Sequence, residues 1–147
     1  MSATVRRAVA ADAAAIASLY AELGYALSPD DVSGRMAGPA GGGRSAVLVA
    51  ERNGAIVGLA TLHMVPVLHE PGDWCRLTSV VVHPSARRGG VARALVAEAE
   101  SRARAAGCAR IEVTSALRRD GAHDFYRAQG YGQVSEHFLK RLAEAGA

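Results

Sequence analysis

Apolar and polar positions follow two different periods along this chain, and the points where the period changes mark its elements. Residues 4–10 read as a short strand. After Asp12, placed to cap a helix, Ile16, Leu19, Tyr20 and Leu23 fall at helical spacing and Gly24 supplies the stop. Ser28-Pro29-Asp30-Asp31 predicts a second helix, with a capping serine, proline at the first helical position and acids in the first turn. Residues 38–43 read as loop. Ser45–Arg52 and Ala55–Val65 are apolar runs joined by Asn53-Gly54, the strongest short hairpin signal. Residues 73–82 form another strand-like run. The helix that follows places Glu98 with Arg102 and Glu100 with Arg104 four positions apart on its wet side, and it ends near Gly107. Residues 109–114 predict a strand, residues 120–129 a helix stopped by Gly130, and residues 134–142 a last strand or strand pair. The order β-α-α-β-β-β-α-β-α-β predicts an α/β (α+β) chain, a single domain over residues 1–147 with no repeat or interdomain linker.

The fourth apolar run gives way to the long helix through Val80-Val81-Val82-His83-Pro84-Ser85-Ala86-Arg87-Arg88-Gly89-Gly90-Val91-Ala92-Arg93-Ala94-Leu95. A β-branched run stops at His83-Pro84, crosses a basic, glycine-bearing turn and opens into a helix. Such a corner aims several backbone N–H groups at one point, where the helix dipole and arginines add positive potential. Each charge-assisted hydrogen bond to a phosphate oxygen contributes about 1.5–3 kcal/mol. That is enough to hold a diphosphate-bearing cofactor. A P-loop is excluded, because no Lys followed by Ser or Thr closes the turn and Lys140 is the only lysine. The G-x-G-x-x-G dinucleotide fingerprint also fails across residues 87–95.

What stands there is Arg87-x-x-Gly90-x-Ala92, which closely resembles the acyl-CoA-binding motif R/Q-x-x-G-x-G/A of the GNAT-type N-acetyltransferases. The resemblance implies that Val80, Val81 and Val82 present backbone groups to the pantetheine arm of acetyl-CoA. It also implies that Arg87, Arg88, Gly89, Gly90, Val91 and Ala92 wrap the pyrophosphate, chiefly with main-chain N–H groups. The competing reading is a strand–turn–helix corner whose glycines serve only the turn and whose arginines are solvated.

A second segment, Ala122-His123-Asp124-Phe125-Tyr126-Arg127-Ala128-Gln129-Gly130-Tyr131, resembles the family's A-x-x-F-Y-x-x-x-G-F/Y landmark. The resemblance makes Phe125 a core residue and Gly130 the left-handed residue at the helix end. Acyl transfer from a thioester expels a thiolate, and a phenol beside the sulfur can protonate it, which is the role implied for Tyr126. A tyrosine packed with its hydroxyl at the surface is the alternative. His123, three positions earlier on the same face, either touches the cofactor or fills the gap between helix and sheet. The resemblance covers nearly the whole chain. It implies the GNAT fold, a central mixed, mostly antiparallel sheet of six to seven strands flanked by about four helices and splayed between strands four and five.

One departure from the family bears on chemistry. Many members carry a glutamate on the fourth strand that helps deprotonate the incoming amine, and here the matching position holds Thr78. A threonine hydroxyl is no base near neutral pH. Presenting a lysine-type amine neutral at pH 7 costs about 4.6 kcal/mol, against about 1 kcal/mol for an α-amino group. Either the acceptor is weakly basic, or Glu70, Asp73, His63 or His69 takes the proton through water. The family's frequent asparagine upstream of the tyrosine helix is also missing, its region being residues 115–119.

Composition narrows the classes. With 147 residues, half of them hydrophobic, and a net charge of +3, the chain carries ample core. It has no block of five like charges and no aromatic-interleaved basic stripe, which argues against a nucleic-acid partner. Cys75 and Cys108 lack C-x-x-C spacing and read as reduced thiols of a cytoplasmic protein. His63, His69 and Cys75 match no zinc pattern, so no metal is expected. Arg6-Arg7 and the alanines that follow mimic an export signal, but Asp12 and Glu22 interrupt it. No run of eighteen apolar residues exists to span a membrane.

The implied reaction is direct transfer of an acetyl group from acetyl-CoA to an amine of a small molecule or peptide terminus. A backbone N–H near Val80 to Val82 would polarise the thioester carbonyl. An acyl-carrying Cys75 is the other route, and it lacks an evident partner to lower its pKa. Tyr20, Tyr25, Glu70, Asp73 and Trp74 are the candidates for the acceptor pocket. A non-catalytic acyl-CoA sensor that kept the groove and lost the chemistry is the rival class. Many relatives pair through their last strands, which leaves a homodimer open.

Overall fold

Among the described residues, five strands form one sheet in sequence order: β1 (Thr4–Arg7), β2 (Ser45–Arg52), β3 (Ala55–Val65), β4 (Trp74–Val82) and β5 (Arg110–Val113). Strands β1 to β4 pair antiparallel, and β5 runs parallel to β4. The helices are α1 (Ala13–Ala21), α2 (Pro29–Met36), α3 (Val91–Ala105) and α4 (Asp120–Ala128). The structure, a computed structural model, describes residues 2–114, 120–134 and 138–143. The chain divides into two compact units, Met1–Ser115 and Ala116–Ala147.

In the first unit the continuous apolar run of β2 has a simple cause: both its faces are covered. Ala46, Leu48 and Ala50 pack with Val91, Leu95, Ala99 and Ala103 of α3, while Val47 and Val49 pack with Ile16 and Leu19 of α1 and Val32 of α2. The hairpin closes through Asn53 (φ 53°) and Gly54 (φ 79°), both left-handed, as a type I′ turn requires. Ser28 caps α2 reciprocally: its Oγ accepts the Asp31 N–H at 3.0 Å and its N–H donates to the Asp31 carboxylate at 2.9 Å. On α3 the pairs Glu98–Arg102 and Glu100–Arg104 form at 3.0 and 3.9 Å.

Three expectations are corrected. The first strand stops at Arg7, and Asp12 does not cap α1. Its carboxylate turns back to accept the Val9 N–H at 2.7 Å and two bonds from Arg6 at 2.8 and 3.0 Å. It thereby closes a short 3-10 turn, Ala10–Asp12, ahead of the helix. The described residues also hold five strands, not six to seven. No strand occupies residues 131–134 or 138–143, and residues 135–137 lie outside the described residues. The apolar positions there, Val134, Phe138, Leu139 and Leu142, are exposed, and their spacing is not the period of two that a half-buried strand needs.

The sheet opens where the resemblance implies. Strand β4 pairs with β5 only along residues 74–77, with one further bond from the Thr114 N–H to the Leu77 carbonyl at 3.3 Å. Beyond Leu77, no strand among the described residues pairs with that edge of β4.

Candidate active site

The corner between β4 and α3 is rich in donors and poor in acceptors. Arg88 (φ 64°) and Gly90 (φ 80°) both adopt the left-handed conformation, and for Arg88, which has a Cβ, this costs about 1–2 kcal/mol. Alternating the backbone hand in this way turns successive N–H groups toward one concavity. Among the described residues, no acceptor meets the N–H groups of Arg88, Gly89, Gly90, Val91, Ala92 or Arg93, and the first helical bond runs from the Ala94 N–H to the Gly90 carbonyl at 3.0 Å.

Arg52, at the end of β2, brings a further positive charge. A Cβ on Gly89 would lie 2.7 Å from a terminal nitrogen of its guanidinium, and the Arg52 Nε is buried with no hydrogen-bond partner among the described residues. These residues fit a diphosphate: the donors are gathered at one helix start, and nothing among the described residues satisfies them. Sequence reasoning missed Arg52, because its place beside residue 89 follows only from the pairing of β2 with β3. Gly58 on β3 sets the position of α3, since a Cβ there would lie 2.7 Å from Val91 Cγ1 and 3.0 Å from Leu95 Cδ1.

Val80, Val81 and Val82 follow on β4 after an irregularity. Thr61 pairs with Ser79 and Leu62 with Leu77, so Thr78 is the extra residue of a β-bulge. The bulge exchanges the faces of the strand. Leu77 packs in the cluster on the α3 side, whereas Val81, four residues on, packs in the cluster with α1 and α2. Thr78 itself is exposed. Its Oγ1 lies 2.8 Å from Thr61 Oγ1 and 3.0 Å from His63 Nε2, and His63 Nδ1 lies 2.8 Å from Ser45 Oγ. Burial, with Arg76 adding to it, holds the His63 pKa below its ordinary value.

The acceptor candidates separate into two groups. The Tyr20 hydroxyl lies 2.8 Å from Ser79 Oγ, and Tyr25 meets the Tyr20 ring edge-on at 6.1 Å. Trp74, Glu70 and Asp73 gather instead where β4 begins. The Arg110 guanidinium stacks 3.4 Å from the Trp74 ring centre, and His69 meets that ring at 5.4 Å. Glu70 pairs with Arg110 at 3.6 Å and Asp73 with Arg44, so both carboxylates are already engaged by arginines. Cys75 is fully buried under α3, and burial pushes its thiol up to about 11, which removes it as a nucleophile at neutral pH. Among the described residues, no three His, Cys, Asp or Glu side chains gather to hold a metal. No helix among them is long and apolar enough to cross a membrane.

Tyr126 belongs to the second unit. On α4 its ring meets Phe125 at 5.2 Å and Tyr131 at 5.7 Å, all three rings being half-buried. Gly130 (φ 93°) ends the helix in the left-handed conformation, and the Tyr131 N–H returns to the Tyr126 carbonyl at 3.0 Å. His123 is half-buried on the same helix. Residues 115–119, where the family's asparagine would stand, lie outside the described residues.

Residues 11–131 match the profile of the acetyltransferase (GNAT) family, and the chain belongs to that family of acetyl-CoA-using acyltransferases. It is 37% identical over 94 residues to an aminoalkylphosphonate N-acetyltransferase of Salmonella typhimurium, covering 64% of this chain and 61% of that protein. It is 35% identical over 108 residues to an aminoglycoside N(6')-acetyltransferase type 1 of Klebsiella aerogenes, covering 71% and 68%. The chain thus spans about three fifths of the first relative's length and about two thirds of the second's. A solved structure described as a transcriptional regulator from Bacillus halodurans C-125 superposes with a TM-score of 0.87 at 22% identity, covering 95% of this chain and 99% of that one. That likeness is one of fold.

Proposed function

We propose that this chain, acting as one domain over residues 1–147 in the cytoplasm, is an acetyl-CoA-dependent N-acetyltransferase whose acceptor is an amine of a small molecule or peptide terminus. The observation that carries the reading is the run of unpartnered N–H groups from Arg88 to Arg93, beside an edge of β4 with no strand partner among the described residues. Arg87, Arg88, Arg52 and the N–H groups of Gly89, Gly90, Val91 and Ala92 hold the pyrophosphate, and the open edge at Val80, Val81 and Val82 receives the pantetheine amides. When bound, acetyl-CoA supplies an activated thioester. A main-chain N–H of β4 stabilises negative charge growing on the carbonyl oxygen. The Tyr126 hydroxyl gives its proton to the departing sulfur. Both curated relatives are named for acetylation of amine-bearing small molecules, which supports an acceptor of that kind.

The test is turnover on a panel of amines, including an aminoalkylphosphonate, an aminoglycoside and an α-amino peptide, for wild type and Tyr126→Phe. Acetylation of at least one amine, with kcat lowered about 100-fold in Tyr126→Phe and acetyl-CoA binding retained, is the expected result. If acetyl-CoA raises the melting temperature and no amine is acetylated, the chain is an acyl-CoA sensor.

A further inference from the structure

Ser45, His63, Thr78 and Thr61 form one hydrogen-bonded row across β2, β3 and β4 that the function above leaves unused. Within it Thr78, the exposed bulge residue, bonds both His63 and Thr61. A neutral imidazole donates from one ring nitrogen and accepts at the other, so the row can run in either of two directions. In one of them the His63 Nδ1–H donates to Ser45 Oγ and Nε2 accepts from the Thr78 hydroxyl. Thr78 Oγ1 then accepts from Thr61 and keeps one lone pair toward solvent.

Resting on the N-acetyltransferase reading, we propose that the acceptor amine docks at Thr78 and loses its proton along this row. The ammonium proton passes to Thr78 Oγ1 as the threonine's own proton passes to His63 Nε2, and the freed electron pair stays on the substrate nitrogen. His63 becomes an imidazolium, held by Ser45, and returns its proton to water after acetyl transfer. Threonine serves here as a conduit, and the basicity comes from the imidazole behind it.

The surroundings suit that task. Burial and the nearby positive charge of Arg76 lower the His63 pKa, which favours the neutral imidazole the row needs. Arg76 is itself paired with Glu112 on β5 at 2.7 Å, and Arg44, next to Ser45, is paired with Asp73. From α1 the titratable group on this side is Tyr20, whose hydroxyl is engaged by Ser79. No carboxylate among the described residues bonds to His63. Even against an imidazole at its ordinary value, transfer from an alkyl ammonium near pKa 10.4 is uphill by about four units and from an α-amino group near 7.8 by little more than one, and the lowering at His63 makes both steeper. The row therefore selects a weakly basic amine.

Two measurements test the proposal. The first is the NMR tautomer of His63 in the wild-type protein at about pH 7.5, which needs neither a variant nor turnover. A proton on Nδ1 is expected, and a proton on Nε2 overturns the proposal. The second compares pH–rate profiles of wild type, His63→Gln, Thr78→Val and Thr78→Ser on one amine that wild type accepts, with acetyl-CoA affinity as the check on folding. His63→Gln and Thr78→Val should each lose about 100-fold in kcat/KM, and His63→Gln should also lose the acid limb that protonation of His63 gives wild type. Thr78→Ser should keep the rate within about threefold. A His63→Gln enzyme with wild-type rate and acid limb, or a Thr78→Val enzyme as active as Thr78→Ser, refutes the row. Failure of wild type itself to acetylate any amine refutes the parent reading, and that result appears before any variant is made.

Discussion

The phenol oxygen of Tyr20 sits 2.8 Å from the hydroxyl of Ser79, tying α1 to β4 one residue past the bulge at Thr78. The contact exists because the bulge turns Ser79 toward the helix side of the sheet, where an unbroken strand would have placed Thr78. On the proposed reading, Tyr20, with Tyr25 against its ring, borders the side from which the amine reaches Thr78. Tyr20→Phe removes one hydrogen bond worth about 1 kcal/mol. It should raise KM for the amine about fivefold while leaving the dissociation constant for acetyl-CoA unchanged, as steady-state kinetics and calorimetry on the same preparations will report. An equal loss on both ligands would place Tyr20 outside the acceptor side.

Gly58 and Gly90 act on the corner by different physics, and their alanine variants should separate. At Gly90 a Cβ meets nothing within 4 Å, so Gly90→Ala suffers only the left-handed backbone, about 1–2 kcal/mol of stability. At Gly58 the backbone is compatible, but a methyl group runs into Val91 and Leu95 and presses the start of α3 off the sheet, costing about 1–3 kcal/mol. Gly58→Ala should also weaken acetyl-CoA binding, because the displaced helix start carries the N–H groups proposed to hold the pyrophosphate. Denaturant melts and calorimetry check both; wild-type affinity in a destabilised Gly58→Ala would show that α3 can yield without disturbing the corner.

Most of this architecture was readable because it is local. Asn53-Gly54, the Ser28 cap, the helical stripe of α3 and the glycine-bearing turn after Val82 each state their conformation within a few residues. What escaped was register. Folding the hairpin evenly about Asn53 and Gly54 sets Ser45 opposite Leu62, and the slip between Ala50 and Glu51 moves it to His63. A second slip, at Thr61 and Leu62, creates the bulge that exposes Thr78. The first slip falls beside Gly58 on β3, a mark that a lone glycine in an apolar run does not make specific, and the second leaves no glycine or proline in β4 to announce it. Asp12 misled for another reason. A carboxylate before a helix is equally able to cap forward or to fold back, and only Arg6, fixed by the pairing of β1 with β2, decides between them.

That fold-back makes Asp12 a pH-dependent element of stability. It is 7% exposed, the one buried charged residue among the described residues, and the Arg6 guanidinium and the Val9 N–H hold its carboxyl below the usual carboxylate range. A group whose pKa is lower folded than unfolded stabilises above its unfolded pKa, and that stabilisation fades as pH falls through the folded value. Asp12→Asn should therefore cost about 2–3 kcal/mol at pH 7 and progressively less below about pH 4, measured as the gap between wild-type and variant urea midpoints. A gap independent of pH would mean that Asp12 acts by shape and hydrogen bonding, not by charge.

Cys75 offers a direct check on the absence of a covalent intermediate. Its sulfur lies in the core beneath α3, and burial holds the thiol near 11, so the thiolate fraction at pH 7.5 is below about one in a thousand. Iodoacetamide should modify Cys75 only at the rate of global unfolding, with the half-buried Cys108 reacting first. Mixing the protein with acetyl-CoA in the absence of amine should add no acetyl group to the intact mass. Cys75→Ala should lose about 1–2 kcal/mol from the cavity it opens and keep kcat within about twofold. An acetylated Cys75 peptide, formed and consumed at the rate of turnover, would replace direct attack with a two-step route.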